Sequence, residues 1–223
     1  MNDLTLIIPA KYEHQSLPIF LEELKLYNCY KHIIIQKDDL RTKNAIKEND
    51  LTKIIFQDHN GYGAAIIEGI NSSQTKYSCI INADGSMSPK YLKNMLDKCR
   101  ENDLVFGSRY LKQGGSEDDT VLTYIGNKFF TLFGNIIFRL NLSDILFTYI
   151  LGKTNSLKKL NLSYKDFRLC VELPIKAKRN NFKYISIPCF EKKRIAGKKK
   201  VNEFKDGTLI LYAMLRYIFD IKS

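Results

Sequence analysis

Short apolar runs, each closed by proline, glycine or a polar cluster, organise the first hundred residues. Leu4-Thr5-Leu6-Ile7-Ile8 ends at Pro9 and shows no polar alternation, which is how a parallel strand buried on both faces reads. His32–Ile35, Lys53–Phe56, Tyr77–Ile81 and Leu104–Phe106 repeat the pattern and predict four more strands. Helical spacing fills the gaps. Leu17, Phe20, Leu21 and Leu24 follow Ser16, a candidate cap, with Pro18 in the first turn of a helix running to about Asn28. Ala64–Ile70 is entered through Gly61-Tyr62-Gly63, and Tyr91–Arg100 follows Ser88-Pro89, a cap with proline at the first helical position. Strands alternating with helices at this pitch predict an α/β, doubly wound, mostly parallel sheet flanked by helices.

The rhythm changes after Phe106. Residues 107–120 are polar and contain glycine, which predicts a functional or mobile loop. Phe129–Leu151 is strongly apolar with aromatics all round, and Leu209–Phe219 is amphipathic, with Arg216 and Asp220 near its end. The apolar pieces Phe129–Phe138 and Ile145–Leu151 fall short of the roughly 18 residues a membrane span needs. Met1-Asn2-Asp3 lacks the basic start of a leader. The expectation is a soluble or surface-bound, cytoplasmic protein of one domain, with no repeat and no low-complexity linker.

Composition sharpens this in two places. The five cysteines are odd in number, scattered and never spaced Cys-x-x-Cys, which argues against a disulfide framework or a structural zinc site. Charge is split: residues 1–120 carry a net −2, and residues 121–223 a net +13 of the total +11. The second half is therefore expected to face something anionic, whether substrate phosphates, an anionic membrane surface or nucleic acid.

Five segments could carry chemistry. Asn82-Ala83-Asp84-Gly85-Ser86 follows an apolar strand, so Asp84 sits at the carboxyl edge of the sheet, where such sheets bind ligands. A carboxylate there can hold Mg2+ or Mn2+ on a diphosphate, because phosphate oxygens and water complete the shell; it can equally just turn the chain. Asp38 and Asp39, beyond the second strand, could accept hydrogen bonds from a base or ribose, or belong to a solvated turn. Gly61 and Gly63 could let backbone approach a phosphate at a helix N-terminus, or make a plain turn. Arg109, in Gly107-Ser108-Arg109-Tyr110, could grip a phosphate with its fork or be a solvated loop residue. Lys192 to Lys200 holds six basic residues in nine, suited to a leaving diphosphate, an anionic lipid or a solvated face.

Taken in order, these segments resemble a family 2 glycosyltransferase of the GT-A fold, nearest its polyprenol-phosphate (dolichol-phosphate) mannosyltransferase branch. Ile7-Ile8-Pro9-Ala10 with Glu13 is similar to the family's opening Pro-x-Tyr-Asn-Glu strand. Gly61-x-Gly63-Ala64-Ala65 with Gly69 is similar to its helix entry, Asn82-Ala83-Asp84-Gly85 to its Asp-x-Asp metal motif, and Gly107-Ser108-Arg109-Tyr110 with Gly114-Gly115 to a further motif. Glu172, Pro188, Arg194, Gly197 and Lys200 resemble its late pattern of helix glutamate, strand proline and Arg-x-x-Gly-x-x-Lys loop. There are departures. The family's Asp-Asp-Gly-Ser reads Lys37-Asp38-Asp39-Leu40, the first metal aspartate is Asn82, no arginine follows Asp144 in Phe147-Thr148-Tyr149-Ile150, and Lys199 replaces a serine.

The resemblance implies one GT-A domain over residues 1–223, with a nucleotide-sugar half (1–120) and a basic acceptor-side half (121–223). It implies inverting transfer from a nucleoside-diphosphate sugar to an acceptor, expected to be a polyprenyl phosphate. Pro9, Glu13, Asp38, Asp39, Gly61, Gly63, Asn82 and Asp84 would bind the donor, and Asp84 the divalent metal. Arg109, Arg194 and Lys200 would hold phosphates, and Glu172 would take a proton if the acceptor were a glycan hydroxyl; as a helix carboxylate it could instead be buried against a lysine. Apolar segments beside lysines suggest peripheral attachment to the inner face of the cytoplasmic membrane. Rival readings are a hydroxyl-directed transferase of capsule or lipopolysaccharide synthesis, a nucleotidyltransferase, and a basic nucleic-acid-binding module. The last gives no reason for Asp84 at a strand end, so no nucleic acid partner is expected.

Overall fold

The computed structural model describes residues 1–219; Asp220, noted above beside Arg216, lies outside the described residues. The predicted strands form as β1 (Leu4–Ala10), β2 (Tyr30–Ile35), β3 (Thr52–Phe56), β4 (Tyr77–Ile80) and β5 (Leu104–Ser108). The helices between them are α1 (Leu17–Leu24), α2 (Leu40–Asn44), α3 (Tyr62–Ser72) and α4 (Leu92–Cys99). Beyond β5 come β6 (Gly115–Ser116), α5 (Val121–Phe138), β7 (Ile150–Lys153), α6 (Thr154–Lys159), α7 (Leu169–Arg179), β8 (Tyr184–Pro188), β9 (Phe190–Glu191) and α8 (Glu203–Phe219).

One seven-stranded sheet has the order β3-β2-β1-β4-β7-β5-β8, and β6 pairs with β9 in a small second sheet. All neighbours in the large sheet are parallel except β7, which runs antiparallel between β4 and β5 with Leu151 opposite both Cys79 and Val105. Pattern reading missed β7 because its Ile150-Leu151 is continuous with the apolar residues before it. The apolar runs are uninterrupted because both sheet faces are covered. Leu4, Leu6 and Ile8 of β1, with Ile33 and Ile35 of β2, pack into one core beneath α1 and α4. Ile7 and Ile34 point the other way, into a second core with α3, α7 and α8.

The expected caps are redistributed. The Ser16 and Ser88 side chains cap nothing, and the Ser16 hydroxyl instead donates to the Glu13 carboxylate. Asp39 is a true cap, accepting from Thr42 N at the start of α2. Thr120 opens α5 with a reciprocal bond pair to Thr123. That helix starts eight residues earlier than the apolar pattern suggested. At 18 residues it is long and apolar enough to cross a membrane, which corrects the expectation that no segment reaches that length.

Candidate active site

The strand order reverses between β2 and β4 on either side of β1, and at such a switch point the connections diverge and leave a crevice. Here a cavity of about 500 Å³ opens at the carboxyl edge of β1 and β4, a volume suited to a small-molecule ligand. Pro9 and Glu13 line it from β1 and its loop, Asn82 and Asp84 from the end of β4, Gly61 from the entry to α3, and Arg109 from the end of β5. Because β7 runs backwards, its leading residues Phe147 and Thr148 reach the same edge. Arg194 and Lys200 arrive from the strap between β9 and α8.

Asp84 is held by a tight turn in which its Oδ1 accepts from Ser86 N at 3.0 Å and from the Ser86 hydroxyl at 2.7 Å. Its Oδ2 faces the Arg194 guanidinium at 3.7 Å. Among the described residues no three His, Cys, Asp or Glu side chains gather as a metal cage. A cation here would lean on Asp84 Oδ2 and on oxygens brought by a ligand, a division of labour that suits Mg2+ or Mn2+ on a diphosphate. Asn82 is occupied otherwise: its Oδ1 accepts from Tyr62 Oη at 2.9 Å, and Tyr62 also bonds the Thr148 hydroxyl. Burial pushes the Tyr62 phenol well above its ordinary range, so it stays a donor.

Of the strap's basic residues, Arg194 and Lys200 are each parked on a carboxylate. Lys200 Nζ sits on Glu13, and Arg194 makes a forked contact with Asp118, Nε to Oδ1 at 3.2 Å. The strap is pinned to the Asp84 turn by Ile195 N donating to Asp84 O and Lys192 N to Ser86 O, both at 2.9 Å. The basic excess of the second half is not concentrated on the cavity wall, which is lined by seven carboxylates and six basic side chains.

Several expectations are corrected by geometry. Arg109 is not a free phosphate grip. Its Nε and Nη2 fork onto Asp144 at 2.7 and 3.0 Å, and Nη1 reaches Asp119 and Glu191, each at 3.3 Å. Burial works against its charge, but Asp144 and Glu191 more than compensate, and the guanidinium is held more firmly protonated than usual. Glu172 does not line the cavity. It is fully buried, accepts from Ser163 N, the Ser163 hydroxyl, Tyr164 N and Tyr217 Oη, and pairs with Lys176, the buried alternative weighed above. It therefore has no route to an acceptor.

Asp38 and Asp39 also stay out of the cavity. Asp39 accepts from Tyr12 N at 2.6 Å as well as capping α2, so it fixes the loop that presents Glu13. Gln36 and Gln57 line the wall that the aspartates were expected to occupy. Gln57 is oriented by donating to the carbonyls of His59 and Gly61.

The glycines at α3 admit backbone, though not a phosphate's. A Cβ on Gly61, whose φ is +130°, would lie 2.0 Å from Lys165 O, and one on Gly63 would lie 2.3 Å from Tyr164 O. The Ala64 N–H at the helix start donates to Lys165 O at 3.0 Å, so the 164–166 turn fills the expected anion site. Gly63 is thereby buried under that turn and off the cavity wall. Glu172 holds the same turn from behind.

Pattern reading also missed Asp118, Asp119 and Glu191. The polar loop 107–120 signals a functional segment without saying which carboxylates meet Arg109 and Arg194. Asp118–Arg194 and Glu191–Arg109 join residues 76 and 82 positions apart, and Asp119, 10 positions from Arg109, sits in an irregular loop with no periodicity to mark it. At Glu191 burial pushes the carboxyl up, only partly countered by Arg109 and the Ser116 hydroxyl.

An α/β sheet with its cavity at the switch point, a carboxylate turn after β4 and a basic strap over it define a ligand-binding enzyme of the GT-A class. The profile of the family described as Glycosyl transferase family 2 matches residues 5–160, and the chain belongs to that family. It is 24% identical over 213 residues to undecaprenyl-phosphate mannosyltransferase of Micrococcus luteus, covering 88% of this chain and 86% of that protein. Among solved structures it is similar to glucosyl-3-phosphoglycerate synthase of Mycobacterium tuberculosis. The complex with Mn2+, UDP and glucosyl-3-phosphoglycerate superposes with a TM-score of 0.73 at 10% identity, covering 99% of this chain and 81% of that one. The complex with Mg2+ and UDP gives 0.71 at 10% identity, with 99% and 80% covered. The expected GT-A fold is thus the fold found.

Proposed function

We propose that this glycosyltransferase moves a sugar, with inversion, from a nucleoside-diphosphate sugar to a polyprenyl phosphate at the cytoplasmic face of the membrane. The observation that carries this reading is the convergence of Asp84, Arg194 and Lys200 on one cavity wall, with each cation held by a carboxylate that a diphosphate can replace. The Micrococcus relative supports the acceptor class, and the UDP and Mn2+ or Mg2+ of the mycobacterial complexes support a diphosphate donor with a divalent metal.

Glu13, Asp84 and Asp118 against Arg194 and Lys200 leave one negative charge in excess, so a diphosphate enters most readily with a cation. Asp84 would hold a divalent metal, which when bound would supply Lewis-acid stabilisation of the leaving group. Arg194 and Lys200 would leave Asp118 and Glu13 for the phosphates, adding charge stabilisation as the sugar–phosphate bond breaks. Gln36 and Gln57 would meet the nucleoside. A phosphate acceptor is already ionised and needs no base. This suits a site whose carboxylates are mostly committed: Asp119 to Arg109, Asp118 to Arg194, and Asp166 to Arg168, which draws its carboxyl below the ordinary range.

One observation favours a second reading. Glu191 lines the cavity with a raised carboxyl, so if the acceptor is a glycan hydroxyl, Glu191 replaces Glu172 as the base. The test is a thermal-shift screen of UDP and GDP with and without Mn2+, on wild type and Asp84→Ala. Stabilisation that needs both nucleotide and metal and vanishes in the variant is expected. Equal stabilisation in both proteins would remove Asp84 from the donor site.

A further inference from the structure

α5 carries large apolar side chains on its outward side as well as on its inward one. A surface helix normally turns its apolar stripe to the core. Here the inward side is mixed: Phe130, Phe133 and Phe138 pack against the second core, while Asn127 donates to Tyr110 Oη at 2.8 Å, Thr131 accepts from Ile145 N at 3.2 Å, and Asn135 exchanges two bonds with the Leu142 backbone. The outward positions are apolar: Ile125, Leu132 and Ile136 are 59%, 60% and 66% exposed, with Val121 and Phe129 on the same side. α8 packs beside it, Met214 lying near Gly134, and exposes a second series, Phe204, Tyr212, Leu215 and Phe219. A contiguous exposed apolar stripe of this length marks an interaction surface.

Charge selects the occupant. Lys128 is the one charged residue within α5, Arg139 follows it, and α8 adds Lys205 and Arg216, all exposed. Of the acidic side chains at the helix starts, Glu117 accepts from Lys193 N and Glu203 pairs with Lys199. An apolar stripe with cationic flanks fits an anionic bilayer surface. A second copy would set the same cations against each other across a two-fold axis. Spanning is disfavoured because Asn127, Thr131 and Asn135 bond the inner face to the rest of the domain and Phe130, Phe133 and Phe138 pack on its core. We infer that the outward face of α5, extended by α8, docks in the plane of an anionic lipid surface. Thr123 and Asn127 of α5 and Lys205 and Ile210 of α8 also line the cavity, so docking sets its wall beside the bilayer. This deepens the acceptor reading and rests on it only for the purpose that docking serves.

The test is co-sedimentation with phosphatidylcholine vesicles, with and without phosphatidylglycerol. The proteins are wild type, the combined variant Ile125→Gln/Phe129→Gln/Leu132→Gln/Ile136→Gln, and the pair Lys128→Gln/Arg139→Gln. Wild type is expected to bind phosphatidylglycerol vesicles, the apolar variant at least about tenfold more weakly, and the charge pair with a reduced preference for the anionic lipid. Circular dichroism and the UDP–Mn2+ thermal shift are run on every protein; both should be unchanged, since the substituted side chains are exposed. Wild type remaining unbound at low salt, or the apolar variant binding like wild type, overturns the inference. So does a wild-type dimer that the apolar variant converts to monomer, which would give the face to a second copy. Loss of the nucleotide shift in wild type with vesicle binding intact would sink the proposed function and leave this surface standing.

Discussion

Replacing Arg109 by methionine tests the structural account most directly, since the family resemblance implies a phosphate ligand and the structure makes it a buried hub. The guanidinium side chain is 8% exposed and Asp144 is fully buried beneath it. The substitution keeps much of the volume but leaves Asp144 without its fork and strips one partner from Asp119 and Glu191. Removing one member of a buried pair costs about 3–5 kcal/mol, a large share of the roughly 5–15 kcal/mol that holds a domain together. At about 2–4 °C per kcal/mol for a chain of this size, melting should fall by about 6–20 °C. The orphaned Asp144 can relieve the cost by taking a proton. Its folded pKa then lies above its unfolded value, the native state binds the proton first, and the deficit against wild type shrinks as pH falls toward about 4. Urea unfolding of both proteins across that range measures this, and Arg109→Met/Asp144→Leu should recover part of the loss. A deficit under about 1 kcal/mol, flat with pH, would refute the hub and return Arg109 to the pool of free phosphate ligands.

The remaining expectations are narrower. Arg194→Met or Lys200→Met should lower kcat for labelled-sugar transfer to polyprenyl phosphate by about 100-fold, with a smaller change in donor KM, because their charge matters most as the diphosphate leaves. Glu172→Gln should lower the melting temperature yet leave turnover per folded enzyme within about threefold, since the carboxylate braces the Ser163–Tyr164 turn away from the cavity. Gly61→Ala should cost about 2–4 kcal/mol in urea unfolding, from overlap with Lys165 O and from the positive φ. Burial, with help from Lys53, holds His32 below its ordinary 6.5. The unfolded chain therefore takes a proton first as pH falls through about 6.5, so stability is full above that pH and declines below it until the folded pKa is reached. His32→Gln should flatten that part of the pH–stability curve.

The sheet was legible from the chain because burial on both faces demands unbroken apolar runs, and Ile7-Ile8 and Ile33-Ile34-Ile35 announce this directly. Position at the carboxyl edge follows from the same alternation for Asp84, while Pro9, Glu13 and Asn82 come from the family resemblance and Gly61 from the glycine entry to a helix; all five line the cavity. What local order could not decide was partnership. Whether Asp39 meets a nucleoside or the Tyr12 amide, whether Gly63 admits a phosphate or the Tyr164 carbonyl, and whether Arg109 is free or locked to Asp144 each depend on segments tens of residues away. Hydrogen bonds and charge pairs act over a few ångströms and carry no trace along the chain of the partner they find. The outward face of α5 belongs to the same category: its apolar residues were visible in the sequence, but only packing, which spends Asn127, Thr131 and Asn135 on the interior, shows which way they point.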